Sequence, residues 1–171
     1  SNESKALGIK MGEPFFKIRE IIEHNDVHVF STNFSLYGDM SSRVMSILGS
    51  ISPGTEIYSI DEAFMDFKGV HNAEPLAAHM REIVSKSTGI PISIGVAPTK
   101  TLAKIANHTA KKHSKTGVCL LQNRSQILDA LAVLSVSKLW GVGRKSAEKL
   151  HVHGVKSAHD FMTLNESWVQ K

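Results

Sequence analysis

Residues 58–67, YSIDEAFMDF, set two adjacent carboxylates, Asp61 and Glu62, between apolar runs rich in aromatic and β-branched residues. Such runs around a short polar step read as two strands and a connection. In one straight strand, neighbouring side chains point to opposite faces. At a bend between two strands, both carboxylates can converge on one point. Asp-Glu is not a favoured hairpin pair, because the tightest turns need Gly or Asn at positive φ. Two acids placed against the local rule suggest a site rather than a scaffold. Hard oxygen donors of this kind suit Mg2+, which takes one or two protein carboxylates and otherwise water and substrate phosphates. The plain alternative is a pair of acids solvated in a loop.

A second chemistry-bearing stretch is TKTLAKIANHTAKK, residues 99–112. At about 100° per residue on a helix, Lys100, Lys104, His108 and Lys111 share one quarter of the circumference. Leu102, Ala103, Ile105, Ala106 and Ala110 fall opposite. A cationic stripe backed by an apolar one suits a helix that rests on a sheet and presents ammonium groups to an anion. Lysine acts there as a mobile point charge, adequate for a triphosphate. A merely solvated helix face is the competing reading.

The third stretch is LWGVGRKSAEKLHVHGV, residues 139–155. A Gly-Val-Gly turn with an apolar lead and a basic helix behind it has the form of a helix-hairpin-helix. Gly141, Val142 and Gly143 let the backbone approach a phosphate, and N–H groups at the following helix start bind it. Arg144 and Lys145 add affinity that is independent of base sequence. The competing reading is an ordinary capped turn in a helical bundle.

These segments sit in a chain of 171 residues, 42% hydrophobic and 21% charged, with formal net charge +4. That is the composition of a folded globular chain, not of a disordered one. Its charge permits a polyanionic partner without demanding one. A single cysteine, Cys119, excludes an internal disulfide framework and a cysteine-based zinc site. Its GVCLL setting is that of a buried strand, with a core thiol as the expected role. His24 with His28, and His151 with His153, have no Cys partner and no evident third ligand, so zinc is not expected. No apolar run reaches membrane-spanning length and no signal peptide is evident, which points to the cytoplasm. The chain opens without Met, and the expectation is a fragment of a longer protein, Ser1 and Asn2 being native or the remnant of a tag.

The elements that must position the three stretches can be read coarsely. Residues 2–8 look like a helix end and 14–23 a helix led by Pro14. VHVFS, 27–31, alternates like a strand. Residues 35–50 and 74–87 have helical spacing, Pro53-Gly54 is a turn, and 91–97 and 117–121 are β-rich. Short helices follow at 124–133, 144–150 and 157–164. The expected class is α+β: an antiparallel sheet with helices on one face, then a small all-helical segment beginning near residues 119–123.

Taken together, these segments resemble the Y-family translesion DNA polymerases. YSIDEAFMDF is similar to the acidic motif of their palm. FSTNFSLYGDMSSRVMSIL before it and GIPISIGVAPTKTLAKIANHTAKK after it resemble the family in order and spacing, and LWGVGRKSAEKL resembles the thumb helix-hairpin-helix. ESKALGIKMGEPFFK looks like the end of the fingers, and FSTNFSLYGDMSSRVM is closest to the UmuC-type branch, that of SOS mutagenesis.

The resemblance implies partial fingers at 1–31, palm at 32–120 and thumb at 121–171. It implies two Mg2+ ions per active site in the full-length protein. Asp61 resembles the carboxylate that bridges both ions, and Glu62 the second acid, near the primer 3′ end. Lys111 resembles the family's triphosphate-binding lysine, and Lys5 stands where the fingers offer a cation to the phosphates. Asn2 replaces a phosphate-contacting Tyr found in many members. The implied partners are primer-template DNA and a deoxynucleoside triphosphate, with a sliding clamp and UmuD-like or recombinase proteins for the parent, and no membrane.

A further catalytic Asp, an aromatic steric gate and a little-finger domain are expected outside these residues. The chain alone is therefore expected not to extend a primer. Rival readings are a non-catalytic DNA-binding module built on the hairpin, an SOS regulatory interaction protein, and a palm-like nucleotidyl cyclase.

Overall fold

The computed structural model describes residues 1–52 and 54–169, the side chain of Asn2 apart. Pro53 of the expected Pro53-Gly54 turn thus lies outside the described residues. The chain divides into two compact units, Ser1–Leu36 and Tyr37–Lys171.

In the first unit, α1 spans Asn2–Ala6 and is capped by Ser1, whose hydroxyl accepts from the Ser4 N–H. Helix α2, Phe15–His24, begins after Pro14, whose fixed φ leads into a helix. The Arg19–Glu23 pair at 2.7 Å links successive turns of α2. Its apolar side chains Phe15, Ile18 and Ile22, with Ile9, Val27 and Val29, line a cavity of about 350 Å³. The strand expected over 27–31 is not formed. Residues 28–33 are irregular, and Phe30 is 85% exposed. An alternating pattern specifies a strand only where another strand supplies ladder hydrogen bonds, and none pairs here among the described residues.

The second unit is built on α3 (Phe34–Ile51, whose first turn belongs to the first unit), α4 (Ala73–Thr88) and α5 (Lys100–His113). The strands are β1 (Thr55–Ile57), β2 (Ala63–Met65), β3 (Ile94–Val96) and β4 (Val118–Leu120). One core packs Val44, Met45 and Leu48 of α3 against Met80 and Val84 of α4, with Ala63, Met65 and Ile94 of the strands beside them. Met80 and Val84 are wholly buried. The two helices expected to back the sheet therefore do so.

The sheet itself differs in detail from the single antiparallel one expected. β1 and β2 form an antiparallel hairpin with Ile57 opposite Ala63. β3 and β4 form a separate parallel pair, Gly95 opposite Cys119. The reason is the connection. A strand that returns to its own sheet through a helix, here α5, is a crossover, and crossovers join parallel strands.

Gly95 fixes how closely α5 lies on that pair. A Cβ there would sit 2.0 Å from the Asn107 backbone nitrogen and 2.5 Å from the Ala103 carbonyl oxygen. The helix thus rests on strand backbone, and only glycine leaves room.

The C-terminal helices are α6 (Arg124–Val133), α7 (Arg144–Val152), α8 (Ala158–Met162) and α9 (Glu166–Val169), with a 3-10 turn at Val136–Lys138. Helix α6 starts at a reciprocal capping box, Asn123 with Gln126, and α8 at another, Ser157 with Asp160. The helical character expected after residue 121 is present, yet packing does not break there. Ile105 and Ala106 of α5 share a core with Leu121, Ala130, Leu131, Leu134 and Ala158. Among the described residues, no helix is long and apolar enough to cross a membrane.

Candidate active site and nucleic-acid interface

The acidic pair lies in the loop 58–62 that joins β1 to β2. β1 stops at Ile57, sooner than the apolar run EIYSI suggests, because the backbone folds onto one acceptor. The N–H groups of Tyr58 and Ser59 both donate to the Glu62 carbonyl, each at 3.0 Å. Asp61 is exposed, and its Oδ1 accepts from the Ser59 hydroxyl at 2.8 Å. Glu62 is half-buried rather than exposed: its carboxylate is ion-paired to the Lys104 ammonium of α5. Asp61 thus faces solvent, while Glu62 is partly covered because the cationic face of α5 lies against this hairpin.

Helix α5 starts at Thr99, whose hydroxyl accepts from the Leu102 N–H, and buries Ile105, Ala106 and Ala110. That orientation turns Lys100 and Lys104 onto the hairpin. Lys100 Nζ meets Glu56 Oε2 at 2.5 Å and lies 5.1 Å from the centre of the Phe64 ring. Lys104 Nζ lies 5.6 Å from the Tyr58 ring centre. Both ammonium groups therefore sit between a carboxylate and an aromatic face. The cation that meets Glu62 is Lys104, not Lys111. Lys111 is exposed on the same face two turns further along, about 10 Å in axial rise. His108, between them, has its pKa lowered by partial burial and then by the charges of Lys112, Lys138, His113 and Lys111. Lys5 is exposed near the end of α1 in the first unit.

Two contacts that the sequence did not disclose complete the loop's surroundings. The Ser41 hydroxyl of α3 donates to the Ile60 carbonyl at 2.5 Å. Trp140, from the turn before α7, donates its indole N–H to the Tyr58 hydroxyl at 3.1 Å and packs edge-on against that ring, 5.5 Å between centroids. Phe64 lies 5.6 Å from both rings. The only signal for this cluster was three aromatic residues flanking the two motifs.

The turn itself has the expected form. The Val142 N–H donates to the Leu139 carbonyl at 3.0 Å. Gly141 has φ +93°, a conformation that side chains resist. Gly143 caps α7 in an extended conformation with no side-chain hydrogen bond. A Cβ at either glycine would meet nothing within 4 Å. This backbone is open to a ligand. The Val142 side chain turns inward against Val136, Leu150 and Val155, so only its main chain is available. Arg144 and Lys145 are exposed, and Arg144 approaches Glu148 no closer than 3.8 Å. Uncapped N–H groups at the start of α7, with cations beside them, have the chemistry to accept an anion.

The donor set fits Mg2+ in part. Asp61 and Glu62 are hard, adjacent and at the surface, which suits an ion that keeps water and substrate oxygens for its remaining positions. Among the described residues no group of three or more His, Cys, Asp or Glu side chains is placed to hold a metal ion. Cys119 of β4 is half-buried, and burial raises its pKa, which disfavours the thiolate.

Comparison with known proteins bears on both halves of this arrangement. The impB/mucB/samB family matches residues 1–108, and the HHH motif of the IMS family matches residues 127–155. The chain is 45% identical over 174 residues to protein UmuC of Salmonella typhimurium, covering 99% of this chain and 41% of that protein. It is 42% identical over 177 residues to protein ImpB of Salmonella typhimurium, 100% of this chain and 42% of the relative. Among solved structures, that of DinB from Sulfolobus solfataricus superposes with TM-score 0.79 at 27% identity, over 99% of this chain and 50% of the other. The insertion ternary complex of Dbh DNA polymerase gives TM-score 0.79 at 26% identity, over 98% and 48%. The chain thus spans less than half the length of these curated relatives and about half of these solved chains.

Proposed function

The chain belongs to the impB/mucB/samB family, and from that premise we propose that the whole protein extends a DNA primer on a damaged template. The observation that carries this reading is the presentation of Asp61 and Glu62 in one surface loop against the lysine face of α5. We assign residues 1–31 to the fingers, 32–120 to the palm and 121–171 to the thumb. Asp61 and Glu62 would hold Mg2+. Bound there, the metal supplies charge neutralisation at the triphosphate and activation of the primer hydroxyl.

The chain's own groups do the rest. Lys111 offsets the triphosphate charge. Lys5, in the first unit, keeps its family expectation as a phosphate-facing cation of the fingers. Lys104 orients Glu62 through their ion pair. Ser59 holds one Asp61 oxygen by its hydroxyl and leaves the other for a ligand. The main chain of Gly141, Val142 and Gly143, with Arg144 and Lys145, takes a DNA backbone phosphate. That contact positions the duplex without reading its sequence. The remaining family expectations are part of the same proposal: a cytoplasmic, SOS-linked role, and a sliding clamp with UmuD-like or recombinase partners. A purely DNA-binding module leaves the acidic loop without a purpose.

The test uses Mn2+ as a paramagnetic stand-in for Mg2+ in the presence of a deoxynucleoside triphosphate. Amide signals of Asp61 and Glu62 should broaden before any others, and Asp61→Asn should remove the effect. Broadening centred on another part of the chain would refute the assignment.

A further inference from the structure

The Trp140–Tyr58 contact joins two segments that the proposed function uses separately. Trp140 immediately precedes Gly141, the first residue of the phosphate-binding turn. Tyr58 is the first residue of the acidic loop, and its N–H donates to the Glu62 carbonyl at 3.0 Å. The two side chains share a hydrogen bond of 3.1 Å and cross edge-on at 85°, with Phe64 of β2 tilted 47° to the indole. The Lys104 ammonium that pairs with Glu62 lies over the other partner of this cluster, the Tyr58 ring.

From these contacts we infer that Trp140 and Tyr58 are positioning residues that transmit engagement of a DNA backbone at Gly141–Lys145 to the conformation of the Asp61–Glu62 loop. The inference rests on the proposed role of that turn. Its physical basis is a short, continuous path. A phosphate drawn to the open backbone of Gly141 and Gly143 shifts the residue next to it, Trp140. The indole cannot shift without moving Tyr58, to which it is bonded through the N–H and packed through the ring. Tyr58 cannot move without its main-chain bond to Glu62 and the ammonium above its ring following. A contact serving stability alone would hold the two segments together yet leave the acidic loop indifferent to what the turn binds.

The inference is tested by amide and indole NMR on the 171-residue chain. The probe is a duplex closed by loops at both ends, which offers no primer terminus to the acidic loop. In the unmodified chain, signals of Gly141–Lys145 and the Trp140 indole N–H should shift, and those of Asp61 and Glu62 should shift with them. In Trp140→Ala the shifts at Gly141–Lys145 should persist while those at Asp61 and Glu62 are lost. Trp140→Phe, which keeps the ring packing, should restore most of the response. Should Trp140→Ala fail to fold, Tyr58→Ala interrupts the same path from the other side. Shifts confined to Gly141–Lys145 in the unmodified chain would overturn the inference and leave the DNA reading standing. So would shifts at Asp61 and Glu62 that survive both alanine variants. An absence of shifts at Gly141–Lys145 would overturn the DNA reading and the inference together.

Discussion

Glu62 has a counter-charge where Asp61 has only a hydroxyl. The Glu62 and Lys104 side chains are 40% and 25% exposed, so water screens their attraction. Such a pair contributes about 0–1 kcal/mol to stability. Its larger consequence is competitive, because an ammonium on a carboxylate oxygen opposes a divalent cation there. Lys104→Met keeps an unbranched apolar stem over the Tyr58 ring and removes the charge. Mn2+ should then bind roughly fivefold more tightly, the equivalent of about 1 kcal/mol. The melting temperature should hardly move. A Mn2+ titration followed by electron paramagnetic resonance decides this, and unchanged or weaker affinity would show that the pair does not compete.

At the scale of elements, two glycines make opposite predictions. Gly95→Ala places a methyl group inside the backbone of α5, which cannot yield as a flexible side chain would. Overpacking of this kind costs on the order of 1–3 kcal/mol or more. Thermal unfolding should register it as a clear loss, because α5 joins the β3–β4 pair to the α6 and α8 core. An unchanged melting temperature would mean that the helix can lift off the strand. Gly143 has φ −79° and open space around it, so Gly143→Val should fold normally. It should weaken binding to duplex DNA and leave the dependence on salt steep. Undiminished affinity in the folded variant would remove this turn from the DNA interface.

The same elements show what the residues disclosed. The lysine face of α5 and the Gly-Val-Gly turn were legible because helical periodicity and turn chemistry are local. The parallel pairing of β3 with β4 depends on which strand α5 returns to, and element order alone does not fix that partner. Residues 27–31 misled because alternation describes a face and not a partner. The Trp140–Tyr58 bond joins residues 82 apart in sequence, and nothing local marks it.

At the scale of the whole molecule, an acidic loop, a lysine helix and an open glycine turn meet in the second unit. The acidic loop alone is an incomplete cage. Two-metal phosphoryl transfer needs carboxylates that hold ions about 4 Å apart. Asp61 and Glu62 have no third carboxylate beside them among the described residues. Primer extension decides whether Asp61 carries the metal chemistry, comparing residues 1–171, the full-length protein, and the full-length protein carrying Asp61→Ala. Residues 1–171 should give no detectable product, and the full-length protein should extend the primer in Mg2+. Asp61→Ala should cut that rate on the order of 10³-fold, about 4 kcal/mol of barrier. Undiminished extension by a folded Asp61→Ala protein would remove Asp61 from the metal site, and robust extension by residues 1–171 alone would show that these residues already form a complete cage.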